Sequence, residues 1–177
     1  MKASGFIRRI DDLGRIVIPK EIRKNMRLRV GESLEVLIND ENNIVLKKFS
    51  IVSRISDLAQ ELTESMNIFT KHNIIIMDSS EIIACSGSLK KEIINKHVSD
   101  EMRDKIERRE KMLQNHIKDL NITEDKKLQC SYVDSAIIVG GEVVGLIMVL
   151  SESEIITDFE MKIVEIVSSF ISKYLEE

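Results

Sequence analysis

Over the first fifty residues apolar and polar positions alternate in short runs, the period-two pattern of strands half buried against a core. Residues 4–10 (Ser-Gly-Phe-Ile-Arg-Arg-Ile) and 15–18 (Arg-Ile-Val-Ile) read as two such strands. Asp11-Asp12-Leu13-Gly14 between them supplies turn residues, with a glycine that accepts positive φ. Pro19, the only proline, fits the first position of a short helix over residues 20–26, where its missing N–H would be unpaired in any case. Residues 30–33 end that helix. Residues 34–38 and 44–48 then form a second hairpin across the polar turn Asn39-Asp40-Glu41-Asn42-Asn43.

After Ser50 the period lengthens. Ile55, Leu58, Ala59, Leu62, Met66 and Phe69 recur at three- and four-residue spacing, which predicts an amphipathic helix over 53–70, capped by Ser53 or Ser56. Its apolar stripe suits either its own domain or the same helix of a second chain, and the period does not choose. Residues 74–78 and 81–85 predict a hairpin closed by Asp78-Ser79-Ser80. A charged helical stretch follows over 89–114, in two pieces around Val98-Ser99. Its second piece starts at Ser99-Asp100 and sets Met102, Ile106, Arg109 and Leu113 on one face. Strands over 129–132, 136–139 and 143–150 come next, with Gly140-Gly141 as a tight turn. A last helix over 158–175 should bury Phe159, Ile163, Val167, Phe170 and Tyr174. The fold class expected is α+β, with an antiparallel sheet flanked by the N-terminal and C-terminal helices of its domain.

Charge divides the chain where the period changes. Residues 1–50 carry 11 Lys and Arg against 7 Asp and Glu, a net of +4, whereas the rest of the chain nets −8. One part is thus suited to a polyanion and the other is not. With 43% apolar and 32% charged residues, the chain is globular rather than disordered. The longest apolar stretch, 143–150, is far short of the roughly 20 residues of a membrane span, and no leader pattern is visible. No membrane partner and a cytoplasmic location are expected. The expected organisation is a basic domain over 1–51, a linker helix over 52–70 that opens the last domain, and an acidic domain over 71–177.

Four short strands and one helical turn bury too little apolar surface to offset chain entropy, and domains this small lean on disulfides, metal or a second chain. Cys85 and Cys130 lie far apart without a CxxC spacing, and His72, His97 and His116 sit in separate contexts that read as surface. No disulfide or metal site follows, so the N-terminal segment should dimerise, presenting each basic residue twice on one surface. Arg8, Arg15, Arg23 and Lys24 flank the turn and the helix and can point outward together, with Arg9 and Lys20 as secondary candidates. Guanidinium groups bind phosphate bidentately and reach guanine edges, so double-stranded DNA is the expected partner.

The run Gly5-Phe6-Ile7-Arg8-Arg9-Ile10-Asp11-Asp12-Leu13-Gly14-Arg15-Ile16-Val17-Ile18-Pro19-Lys20-Glu21-Ile22-Arg23-Lys24 closely resembles the signature of AbrB-like transcription factors, whose swapped-hairpin domain is shared with MazE-type antitoxins. The resemblance implies a dimer whose hairpins interleave into one small β-barrel, with Arg8, Arg15, Arg23 and Lys24 on DNA. Lys24 stands where arginine is frequent, keeping the charge without the bidentate fork. The element order over 56–177 resembles a GAF domain. The two halves together are similar to AbrB-like sporulation regulators of endospore-forming bacteria. That implies action in the forespore, activating some late genes and repressing others, and a tetramer built from two DNA-binding dimers through paired GAF domains and flanking helices.

No cofactor is expected beyond an unidentified small-molecule ligand of the GAF domain. Ile75, Met77, Ile83, Cys85, Ile138 and Met148 either line its pocket or fill the core. The chain shows no GxSxG and no glycine-rich phosphate loop, and it is not expected to be an enzyme. Three rival readings stand beside the sporulation regulator, the first being another AbrB-type transition-state regulator. An antitoxin would carry a disordered tail in place of residues 53–177. A GAF-type methionine sulfoxide reductase would need Cys85 as attacking and Cys130 as resolving thiol, with a depressed thiol pKa.

Overall fold

Where apolar positions run without interruption the chain builds a sheet buried on both faces, and where they merely alternate it builds hairpins that stay open to solvent. The computed structural model describes residues 5–28, 30–31, 33–109 and 111–176. Ser4 of the predicted first strand, Glu32 of the predicted helix break and Glu110 of the predicted long helix lie outside these. The chain divides into two compact units, one ending at Phe49 and one beginning at Ser50.

The N-terminal unit holds α1 (Lys20–Asn25), β1 (Leu34–Ile38) and β2 (Ile44–Lys48). β1 and β2 pair antiparallel from Leu34 opposite Lys48 to Ile38 opposite Ile44. Asn42 takes φ of 61° in the turn, and the Asn39 side chain accepts from the Asn43 amide at 2.8 Å. The first predicted hairpin differs. Its turn closes, with the Asp11 amide donating to the Arg15 carbonyl at 3.1 Å and the Gly14 amide to the Asp11 carbonyl at 2.9 Å. Yet the described parts of the arms, residues 5–10 and 15–18, form no strand. The two arms of one chain pair only at the mouth of the turn, and strands without a ladder are not strands. Pro19 precedes α1 instead of opening it, extended at φ −57° and ψ 147°, and its carbonyl accepts from the Arg23 amide. Among the described residues of this unit Pro19 alone is buried. Ile7 is 93% exposed, Val17 75% and Ile38 73%.

The second unit opens with a 3-10 turn (Val52–Ile55) running into α2 (Ser56–Thr70). Neither Ser53 nor Ser56 caps α2; the Ser50 hydroxyl accepts from the Ser53 amide and starts the 3-10 turn instead. β3 (Asn73–Met77), β4 (Ile82–Ser86), α3 (Lys90–Ile93), α4 (Asp100–Arg108), β5 (Met112–Thr123), β6 (Lys126–Val139), β7 (Glu142–Ser151) and α5 (Asp158–Glu176) follow. The five strands pair antiparallel in the order β4-β3-β7-β6-β5. Ile74, Ile76, Val133, Ile137, Ile147 and Val149 form one core with α2 and α5, while Ile75, Met77, Tyr132, Leu146 and Met148 form another with α3 and α4. Edge strand β4 is shielded by α2: Gln60 donates to the Cys85 carbonyl at 3.1 Å and accepts from its amide at 3.3 Å.

Several expectations change. The second charged helix stops at Arg108, with Arg109 left-handed at φ 56°, and residues 112–123 form the edge strand β5. There Met112 and Leu113 serve opposite faces of the sheet, a requirement no helix satisfies. The Ser99 hydroxyl accepts from the Met102 amide at 3.1 Å and caps α4 as expected. α5 is rotated part-way from its predicted register, with Ile163 and Val167 still partly buried against the core. It buries Glu160, Val164, Ser168 and Ile171, because Ser168 and Ser172 reach the Ser135 side chain and the Ile138 amide of β6 at 2.9 and 3.0 Å. Phe159, Phe170 and Tyr174 are left outside, with Phe170 stacked on Tyr174. Phe69 is also exposed, at 77%. His72 is not a surface histidine: its ring is 9% exposed and lies 3.9 Å from both Glu154 and Glu160.

One ion pair crosses the α4-side core. Lys105 of α4 donates to Asp134 of β6 at 2.9 Å, with its ammonium 4.7 Å over the Tyr132 ring. Burial pulls Lys105 down, but the Asp134 carboxylate outweighs it and holds the ammonium above its ordinary value. Stranding one buried charge costs far more than replacing both. Asp134→Ala is therefore expected to lower the unfolding free energy by about 3–5 kcal/mol in urea titrations. Lys105→Met combined with Asp134→Leu should recover most of that loss.

Candidate nucleic-acid interface

Reading DNA requires cations held outward on a defined backbone, and the Asp11–Arg15 turn supplies one. The Asp11 carboxylate accepts from the Leu13 and Arg15 amides at 3.0 and 2.8 Å, and from Arg15 Nε at 2.8 Å. Bonds from the Arg15 backbone, then from its guanidinium, hold the Asp11 carboxyl below its ordinary value, although its side chain is 44% exposed. Gly14, at φ 75°, lets the chain turn tightly enough for this contact. The Arg15 side chain stays 70% exposed while its Nε is fixed. The turn therefore aims a guanidinium at solvent instead of leaving it to sweep many rotamers.

Arg8 and Arg9 lie on the exposed arm before this turn, and Arg8 Nη1 donates to the Ile7 carbonyl at 3.4 Å. Lys20 opens α1, and Arg23 and Lys24 follow in its last turn. Spacings of three and four residues put Lys20, Arg23 and Lys24 along one side of the helix. All six side chains belong to exposed residues. The sequence pattern marks Asp11 only as a turn residue. The legible signal was an Asx residue four positions before an arginine across a glycine.

In the second unit the six residues read as pocket or core divide. Ile75, Met77, Cys85 and Met148 are buried between the sheet and α3 and α4, Ile83 belongs to the opposite core, and Ile138 is 39% exposed. The two thiols are far apart. Cys85 pairs with Ile75, Ile75 with Met148 and Met148 with Asp134, so Cys130 lies about three strand spacings across and four residues along, on the order of 19 Å. A disulfide requires Cα atoms within about 7 Å. Burial pushes the Cys85 thiol up to about 12 and that of Cys130 to about 11, opposite to what an attacking thiol needs. Among the described residues no cluster of three or more His, Cys, Asp or Glu could hold a metal ion, and no helix is long and apolar enough to cross a membrane.

Comparison with known proteins matches residues 54–176 to the family described as stage V sporulation protein T C-terminal, transcription factor. Residues 7–53 match the family described as antidote-toxin recognition MazE, bacterial antitoxin. The whole chain is similar to stage V sporulation protein T of Bacillus subtilis (strain 168), 34% identical with all of both chains covered. Its first part is similar to transition state regulatory protein AbrB of the same organism, 43% identical over 28% of this chain and 50% of that one. Among solved structures, the GAF domain of an Acinetobacter phosphoenolpyruvate-protein phosphotransferase superposes with a TM-score of 0.56 at 11% identity, covering 73% of this chain and 84% of that one. A type II free methionine-R-sulfoxide reductase from Thermoplasma acidophilum superposes with a TM-score of 0.53 at 10% identity, over 72% and 95%. Both show that the second unit has the GAF fold, and at these identities they show the fold alone.

The thiols provide a direct check on chemistry. Iodoacetamide is expected to leave Cys85 and Cys130 unlabelled in the folded protein at neutral pH and to label both in denaturant. Between the ordinary thiol value of 9.0 and the raised folded values, the unfolded chain has released protons that the folded chain retains. Stability should therefore fall as pH rises through that window, read as a declining denaturation midpoint.

Proposed function

The chain belongs to the stage V sporulation protein T family of transcription factors, and from that premise we propose that it regulates late sporulation genes in the forespore cytoplasm, activating some and repressing others by sequence-specific binding to duplex DNA. Residues 1–51 are the DNA-binding domain, and 52–70 are the linker helix that opens the GAF domain completed by 71–177. One observation carries this reading: the N-terminal unit buries no described side chain but Pro19, while it exposes six cations on its turn, arm and helix. A unit in that state is half of something. Two copies exchanging hairpins would give the arms around Asp11–Arg15 the strand partners they lack and cover Ile7, Val17, Val36 and Ile38 in one shared barrel.

In that dimer Arg8, Arg15, Arg23 and Lys24 face DNA twice over, with Arg9 and Lys20 beside them. Arg15, braced by Asp11, is suited to a bidentate contact, whereas Lys24 supplies charge alone. The acidic GAF domain does not compete for phosphate. Its part is assembly and response to a small molecule. Phe159, Ile166, Phe170 and Tyr174 of α5, with Ile68 and Phe69 of α2, leave an apolar helical surface uncovered. Pairing those surfaces between dimers gives a tetramer that sets the spacing of its two DNA-binding ends.

Duplex-DNA titrations test the assignment. A dimer with about eight cationic contacts should show a log–log salt dependence near −7. Arg15→Ala should weaken binding by about 1–3 kcal/mol and leave the dimer intact; unchanged affinity refutes its role. In native mass spectrometry the full chain should be a tetramer, and Ile166→Glu with Phe170→Glu should reduce it to a dimer.

A further inference from the structure

The two carboxylate oxygens of Asp11 serve different purposes. Oδ1 accepts from both the Leu13 and the Arg15 amides and so builds the turn, whereas Oδ2 accepts from Arg15 Nε at 2.8 Å. That second bond is not needed to close the turn, and in water such a pair adds little stability. What it changes is the guanidinium. With Nε occupied, the side-on edge that joins Nε to one Nη is blocked, and only the end-on edge of Nη1 and Nη2 remains for a ligand. Among the described residues those two nitrogens make no hydrogen bond, and the side chain is 70% exposed. Of the six candidate cations, Arg15 is also the one that a carboxylate holds among the described residues.

The charge around this edge decides what it can meet. Asp11 is held below the ordinary carboxylate value and is ionised at neutral pH, and Asp12 stands exposed beside it. Residues 11–15 therefore carry two carboxylates against one guanidinium, a local balance that opposes a phosphate. It does not oppose an uncharged partner with two adjacent acceptors. In the major groove guanine alone offers that pair, O6 and N7, because adenine and cytosine present an amino donor and thymine a single carbonyl acceptor. We propose that Asp11 is a positioning residue that makes Arg15 a guanine reader, with Nη1 and Nη2 donating side by side to O6 and N7, while the cations without a carboxylate partner hold phosphates. The turn is slim: a Cβ placed on Gly14 would meet nothing within 4 Å, and the major groove, about 12 Å wide, admits a two-stranded ribbon. Two-fold symmetry would set two such guanines in inverted repeat. The inference deepens the DNA-binding reading proposed above and rests on it.

In vitro selection from randomised duplex DNA, run with the full-length protein and three variants, tests it. The parent should enrich sites with guanine at two symmetry-related positions. Asp11→Asn keeps an oxygen for the turn amides but loses the acceptor for Nε, so it should lose the preference at those two positions and retain it elsewhere in the site. Its oligomeric state and melting temperature should match the parent, because the turn keeps its acceptor. Arg15→Ala should lose the same two guanines, whereas Arg23→Ala should weaken all duplexes alike and keep them. Replacing those guanines by 7-deazaguanine preserves base pairing and removes the N7 acceptor. It should weaken parent binding about tenfold and that of Asp11→Asn or Arg15→Ala by less than about twofold. A parent site without guanine, a guanine preference unchanged in Asp11→Asn, or parent affinity indifferent to 7-deazaguanine would each overturn the proposal and leave DNA binding standing. Binding of no duplex by the parent would overturn the regulatory reading and this one together.

Discussion

Two central strands impose most of the architecture. Every residue of β3 is buried, as are residues 145–151 of β7, so this antiparallel pair presents apolar side chains on both faces and needs a layer over each. α2 and α5 cover one face and α3 and α4 the other, and the remaining strands extend the pair to edges that are managed differently. β4 is shielded by Gln60, while β5 is interrupted by a bulge and carries exposed polar and charged residues, which blunts pairing with another chain. Gly145 fits the same constraint: a Cβ there would sit 2.5 Å from the Met77 carbonyl, so the closest approach of β7 to β3 requires glycine.

The N-terminal unit has no such pair. Its two-stranded hairpin and six-residue helix enclose nothing, and apolar area that would stabilise a larger fold stays in water. Self-association is the remedy proposed for such a segment. In the proposed dimer, DNA contact would be tied to assembly and every cation doubled by symmetry.

Buried charge in the second unit is arranged differently from charge at the candidate interface. Asp11 and Arg15 meet in water, where the pair contributes little to stability and serves to aim a side chain. Lys105 and Asp134 meet inside the core, where each makes the other tolerable and α4 is pinned to β6 at one position. The interior behind that pair is packed with Met77, Cys85, Met102 and Met148.

Local chemistry was legible in the sequence wherever one residue or one period was enough: β1 and β2 to the residue, the Asp78 turn, the Ser99 cap, the amphipathic α2, the charge split and the signature from Gly5 to Lys24. Features that depend on a distant neighbour were not. Residues 112–114 continue the helical period, and only the edge beside β6 places them, with residues 115–123, in a strand. The aromatic residues of α5 read as inward, yet Val164 and Ile171 form the buried centre of its face, flanked by Ile163 and Val167, with serines 168 and 172 hydrogen-bonded to β6. His72 became buried because β3 begins beside the N-terminus of α5, a proximity no window of sequence contains. The sequence by itself determined which segments are helix or strand by local period and which half of the chain carries positive charge. The tertiary structure decided which faces turn inward, because burial is a property of neighbours brought together by the sheet and not of any residue's own order in the chain.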